Sequence, residues 1–283
     1  MEQKFPRTMV GGVSLSRMII GSNWLAGWSH RSSAADQMIT RRHHSSQTIN
    51  PMLEAFLEKG VDTIMAPFDK TPHILRAVRE TEEKTGRGMI LIDTPGINVD
   101  NNEKARREAE ATIRRSRELG ASFCLIHHSS AEELVNKNTR TIDRLDDYTK
   151  MIRDAGMIPG LSAHMPELIV YSDAQGYDVE TYIQIYNCMG FLMQVEIETV
   201  HAIIHAAKKP VMTIKSMAAG RCTPFVGLNF SWATLRDCDM VTVGCFTEQE
   251  AREDLEISLA ALERRAPELA RRQSPNPNQA AFG

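Results

Sequence analysis

The chain has 283 residues, 42% hydrophobic and 24% charged, with a formal net charge of −3 at pH 7. That length holds one large domain with a substantial core, and the small net charge gives no electrostatic case for nucleic acid or an anionic membrane as partner. No apolar run approaches the ~20 residues of a membrane span. The opening MEQKFPRTMVGG lacks the apolar stretch of a signal peptide. The five cysteines (Cys124, Cys188, Cys222, Cys238, Cys245) are scattered, with no C-x-x-C pair, which suits a reducing, cytoplasmic setting better than a disulfide framework or structural zinc.

In chain order, the first signal is a hairpin. Arg7–Val10 and Val13–Leu15 flank Gly11-Gly12, and such a hairpin is placed to plug the bottom of a barrel. Eight strand-like runs follow, at Met18–Gly21, Thr63–Ala66, Met89–Ile92, Phe123–Ile126, Met157–Leu161, Tyr182–Ile185, Val211–Ile214 and Met240–Val243, each leading into a helix-like stretch. Their number and spacing predict a single (β/α)8 TIM barrel over residues 1–272, with Gln273–Gly283 a fraying tail. Ser22–Gln47 is far longer than the two to six residues of an ordinary βα loop. It carries a predicted short helix near Ala34–Thr40 and two tryptophans, Trp24 and Trp28, so it reads as a lid. The alternating charges of Asn101–Leu119 mark a solvated outer helix, and Thr247 with Glu250 resembles a capping box.

Barrel enzymes carry their chemistry at the C-terminal strand ends. Here those ends offer Asp93, His127-His128, His164 and Lys215 as chemical groups. Asn23, Trp24, His30, His128 and Asn187 are candidates for contact with a small-molecule substrate. Asp93, His127 and His164 suit a divalent Zn, Mn or Fe ion, or equally an acid–base pair. An inward lysine such as Lys215 suits an imine or an anion. Side-chain alternation allows only one of His127 and His128 to point inward.

Several segments, in the right order, resemble the aldo-keto reductase superfamily: the hairpin followed by IIGSNW, then ASFCLIHHSS, IPGLSAHMPELI, TYIQIYN, KPVMTIKSMAAGR and MVTVGCFTEQEAREDLE. The resemblance implies that family's barrel, and it makes His127 the inward histidine. It also implies an NAD(P) site, with Ser162 and Gln184 on the nicotinamide amide and Gly220, Arg221 and the helix opening at Thr247 on the phosphates. The reductive residues themselves are replaced. Met65 stands at the aspartate's position, no tyrosine follows, and Asp93 or Thr94 stands at the lysine's position. The expected function is therefore non-redox: lyase, isomerase or hydrolase chemistry on a small sugar, polyol or hydroxy-carbonyl compound. A divergent NAD(P)-dependent oxidoreductase and a catalytically inactive ligand-binding barrel are the alternatives. A homo-oligomer is compatible with the sequence.

Overall fold

The structure, a computed structural model, describes residues 4–269. The tail expected at 273–283 lies outside them. Twelve strands follow in chain order: β1 (Arg7–Val10), β2 (Val13–Ser16), β3 (Met18–Gly21), β4 (Thr63–Ala66), β5 (Ile90–Asp93), β6 (Phe123–Ile126), β7 (Val135–Asn136), β8 (Thr141–Ile142), β9 (Ile158–Ala163), β10 (Tyr182–Ile185), β11 (Val211–Ile214) and β12 (Met240–Val243). Eight of them, β3-β4-β5-β6-β9-β10-β11-β12, close on themselves as a parallel barrel, which is the expected fold class. The β7–β8 pair is a small antiparallel ribbon inserted after β6, which the sequence reading did not propose.

The barrel interior is a single apolar cluster containing Ile19, Met65, Ile92, Phe123, Leu125, Ile183, Met212 and Met240. Val10 and Leu15 of the β1–β2 hairpin belong to the same cluster, so the hairpin seals one end, and polar chemistry is confined to the other. Gly160 is needed where β9 runs between its neighbours. A Cβ there would lie 2.7 Å from Leu125 Cγ and 2.8 Å from the Thr181 carbonyl oxygen. Outside, the helix Glu103–Glu118 pairs Arg107 with Glu103 and Arg114 with Glu110, exposed contacts worth a few tenths of a kcal/mol each.

The 22–47 segment folds into the helices Asn23–Ala26 and Ser33–Arg42, the second capped by Ser32, whose hydroxyl accepts from the Ala35 N–H at 3.2 Å. It is fastened at two points. Buried His43 bridges Thr48 Oγ1 (3.0 Å) and the Phe246 carbonyl (3.1 Å), and Arg221 donates to the His30 carbonyl at 3.2 Å. Among the described residues no helix is long and apolar enough to cross a membrane.

Candidate active site

Side chains alternate along a strand, so residues two apart share a face. Ile92, Leu125, Ile183, Met212 and Met240 face the barrel interior. The same parity carries Thr94, His127, Ser162, His164, Ser216, Thr242 and Gly244 to the mouth, and all seven line one cavity of about 430 Å³. Asn23, Trp24, Trp28 and His30 of the lid form another part of its wall, and Lys70 and His128 line it as well. None of its described lining residues is an aspartate or glutamate.

Lys215 reaches the cavity by breaking this alternation. Its neighbours Ile214 and Ser216 both line the wall, and its own backbone is left-handed at φ 63°, a conformation costing a β-carbon-bearing residue about 1–2 kcal/mol. Ala218 (φ 48°) and Ala219 (φ 55°) continue the distorted turn. Gly227 lets the next helix pack against it, because a Cβ there would meet the Ser216 carbonyl oxygen at 2.5 Å. Burial alone pushes the Lys215 ammonium down to about 8.

Three imidazoles stand beside it. His127 and His128 ring centroids are 4.2 Å apart, and His128 stacks on His164 at 3.8 Å with 19° between planes. Both His127 and His128 reach the cavity, contrary to the alternation expectation: His127 follows β6 directly, but His128 already belongs to the helix His128–Ala131. Burial, then His128, Lys70 and Lys215, hold His127 at about 4; burial, then its neighbouring histidines and Lys215, hold His164 at about 3. These rings are neutral at pH 7. The Ser129 N–H points at His127 Nδ1 (3.4 Å), and the Ser129 hydroxyl lies 2.8 Å from the same atom. The network therefore assigns the ring proton of His127 to Nε2.

Asp93 is absent from this group. Ile92 faces inward, so Asp93 faces outward, where its carboxylate accepts from the Phe68 N–H at 3.0 Å and from Ser116 on the covering helix. Burial raises its pKa, and these donors oppose the rise. The proposed Asp93–His127–His164 metal set therefore does not assemble. Ligand atoms of His128, Glu132 and His164 do lie within 4.8 Å of one another. The two rings are stacked, however, so their lone pairs do not converge, and Glu132 Oε1 is spent on the N–H groups of His164 (2.6 Å) and Met165 (2.9 Å). A metal would require one ring to turn.

No family model and no curated protein sequence matches this chain. Solved structures do. A candidate aldo-keto reductase of Pseudomonas aeruginosa superposes with TM-score 0.66 at 13% identity, over 93% of this chain and 99% of that one. An aldo-keto reductase of Klebsiella pneumoniae in complex with NADPH gives 0.58 at 13% identity, over 95% and 92%. The chain has the aldo-keto reductase fold. Aldose reductase of Giardia lamblia (TM-score 0.52, 11% identity, 93% and 92% covered) carries the same barrel.

In this aldo-keto-reductase-like barrel, the residues that the resemblance assigns to cofactor are mostly engaged elsewhere. Ser162 lines the cavity, but Gln184 has outward parity, is fully buried and donates to the His164 and Ile185 carbonyls. Arg221 stacks on Phe191 at 3.8 Å and donates to the carbonyls of Ala218 and His30, while Gly220 (φ 78°) turns the loop beneath it. Thr247 accepts from the Glu250 N–H, and Glu250 in turn accepts from the Phe246 N–H at 2.7 Å, so the helix N-terminus is closed by its own capping box. Asn187, expected to touch substrate, is fully buried and holds its own loop through the N–H groups of Met189 and Phe191 and the Phe191 carbonyl. Sequence reasoning overlooked Lys70, Thr94, Ser216 and Thr242 as site residues; counting strand parity from the apolar interior finds the last three.

Proposed function

We propose that the protein is a non-redox enzyme that forms an imine between Lys215 and a small hydroxy-carbonyl substrate, with lyase or isomerase chemistry following. The observation that carries this reading is the placement of Lys215: a largely buried amine in a cavity without carboxylates, lowered to about 8 by burial. About a tenth of such a lysine is neutral at pH 7, against roughly one part in three thousand for an ordinary lysine. Its lone pair attacks the carbonyl carbon, and the carbonyl oxygen leaves as water with one proton from the amine and one from solvent, giving a protonated imine. That imine accepts the electron pair of the adjacent C–H bond, or of the adjacent C–C bond as the hydroxyl on the departing carbon loses its proton and becomes a carbonyl, and becomes an enamine. A neutral imidazole takes the released proton and returns it in the reverse sense. His127 is the residue we assign to this transfer: it lines the cavity, burial keeps it unprotonated, and its lone pair is on Nδ1, which the proton reaches through the Ser129 hydroxyl 2.8 Å away. Hydrolysis then frees the lysine.

No step is routed through a nicotinamide cofactor. The donors of Gln184 are committed to carbonyls, Arg221 is committed to the lid, and a phosphate at Thr247 would meet Glu248 and Glu250 in the first helical turn. The residues present do not fit that group. The test is borohydride reduction in the presence of hydroxy-carbonyl compounds, followed by peptide mapping. A stable adduct on Lys215, lost in Lys215→Ala, is expected. NADPH oxidation with the same compounds and no lysine adduct would overturn the reading.

A further inference from the structure

We infer that the substrate of this cavity carries an anionic group, a carboxylate or a phosphate, apart from the carbonyl that meets Lys215. The inference rests on the imine reading for the carbonyl end only. Lys70 lies at the rim and lines the cavity, and among the described residues its Nζ makes no hydrogen bond or ion pair. Three other surface lysines are matched: Lys84 with Glu54, Lys137 with Glu167, Lys150 with Asp154. The cavity is lined by two lysines and by no carboxylate, and its four histidines are held neutral by burial, so the ammonium charge is not neutralised by the lining. Burial and then His128 do most to keep the His127 imidazole neutral, and Lys70 and Lys215 add to them, so both amines act on the same ring.

The floor supplies the second observation. Ser216 is 1% exposed, and its Oγ has no hydrogen-bond partner; Thr242 Oγ1 is likewise buried and unpartnered. Both residues line the cavity on β11 and β12, while Lys70 follows β4. A buried hydroxyl without a partner is destabilising, and a bound oxygen would relieve that. Both oxygens are closed to solvent as they stand, so a substrate hydroxyl or carbonyl would reach them by a turn of the Ser216 or Thr242 side chain, with its carbonyl carbon at Lys215 and its charged end at Lys70.

The experiment uses the full chain and paired probes: dihydroxyacetone phosphate against dihydroxyacetone, and pyruvate against hydroxyacetone. Borohydride trapping gives the concentration for half-maximal adduct at Lys215, and the fluorescence of Trp24 and Trp28 reports inorganic phosphate or acetate binding without imine chemistry. Anionic probes should trap at roughly tenfold lower concentration than their neutral partners, and in Lys70→Gln the ratio of the two concentrations should fall to about one. The pyruvate and phosphate arms tell a carboxylate from a phosphate. Equal trapping of charged and neutral probes, unaffected by Lys70→Gln, would overturn the anionic substrate and leave the imine standing. Lys70-dependent fluorescence quenching by phosphate or acetate with no trapped adduct would support the anion site and remove the imine. Neither quenching nor trapping would overturn both.

Discussion

Two regions of the same barrel mouth differ in how their polar groups are spent. On one side, Lys215, Ser216, Thr242 and Lys70 reach a shared cavity and find no protein partner for their polar side-chain atoms among the described residues. On the other, Gln184, Asn187, Arg221 and Thr247 are committed to carbonyls, backbone N–H groups or an aromatic face. Both sets sit at or just beyond strand ends, and both contain residue types used to bind ligands. What separates them is whether the free groups belong to cavity-lining residues: Gln184 Oε1 is also unpartnered, but Gln184 has outward parity and does not line the cavity. Buried polar groups are normally satisfied, so unsatisfied ones on cavity-lining residues are where a ligand can complete the structure.

The largest effect should come from His127. His127→Ala is expected to lower turnover by about 10²–10⁴ while still allowing borohydride trapping at Lys215, because imine formation uses the lysine's own lone pair. Loss of trapping as well, with unchanged circular dichroism, would break the division of roles between the two residues.

Acid should weaken the fold through the same buried imidazoles. His127 and His43 sit near 4 and His164 near 3 when folded, against about 6.5 unfolded. The unfolded chain therefore binds more protons below that value, and stability falls as pH drops from about 6.5 toward 4. Asp254, raised to about 7 by burial, acts in the opposite sense between its unfolded value and 7, as does Asp93, also raised by burial, but these are two groups against five histidines, since burial lowers His30 and His128 as well. Thermal melts should show a lower Tm at pH 5 than at pH 7; a flat or rising Tm would mean that these rings are more solvated than their packing implies.

The saturated side gives the smallest functional effects. Thr247→Val removes a helix cap and should cost about 1 kcal/mol of stability, with trapping at Lys215 unchanged. Asp93→Asn should likewise move Tm and leave turnover within about twofold, since the carboxylate binds the Phe68 N–H rather than a substrate. A large loss of activity in either variant would erase the contrast between the two sides.

The barrel was legible because each strand is a short apolar run ending at a polar residue, and the order of motifs supplied the superfamily fold. His127, His164, Ser162 and Lys215 were found as strand-end residues. Asp93 was misplaced because the expected strand ended one residue early, and a slip of one residue reverses which face a side chain takes. The inward turn of Lys215 depends on a left-handed backbone that no local glycine signals, since Lys215, Ala218 and Ala219 all carry a β-carbon. The exhaustion of Arg221 and Gln184 was illegible for another reason: their partners are carbonyls brought close only by the closed barrel and the folded lid.

The central claim is that Lys215 is an unpaired amine in a cavity without counter-charge. The direct measurement is the pH dependence of its acylation rate by acetic anhydride, resolved by peptide mass spectrometry. A half-maximal rate near pH 8 is predicted. A midpoint at or above about 10, the range of an ordinary solvated lysine, would contradict the account.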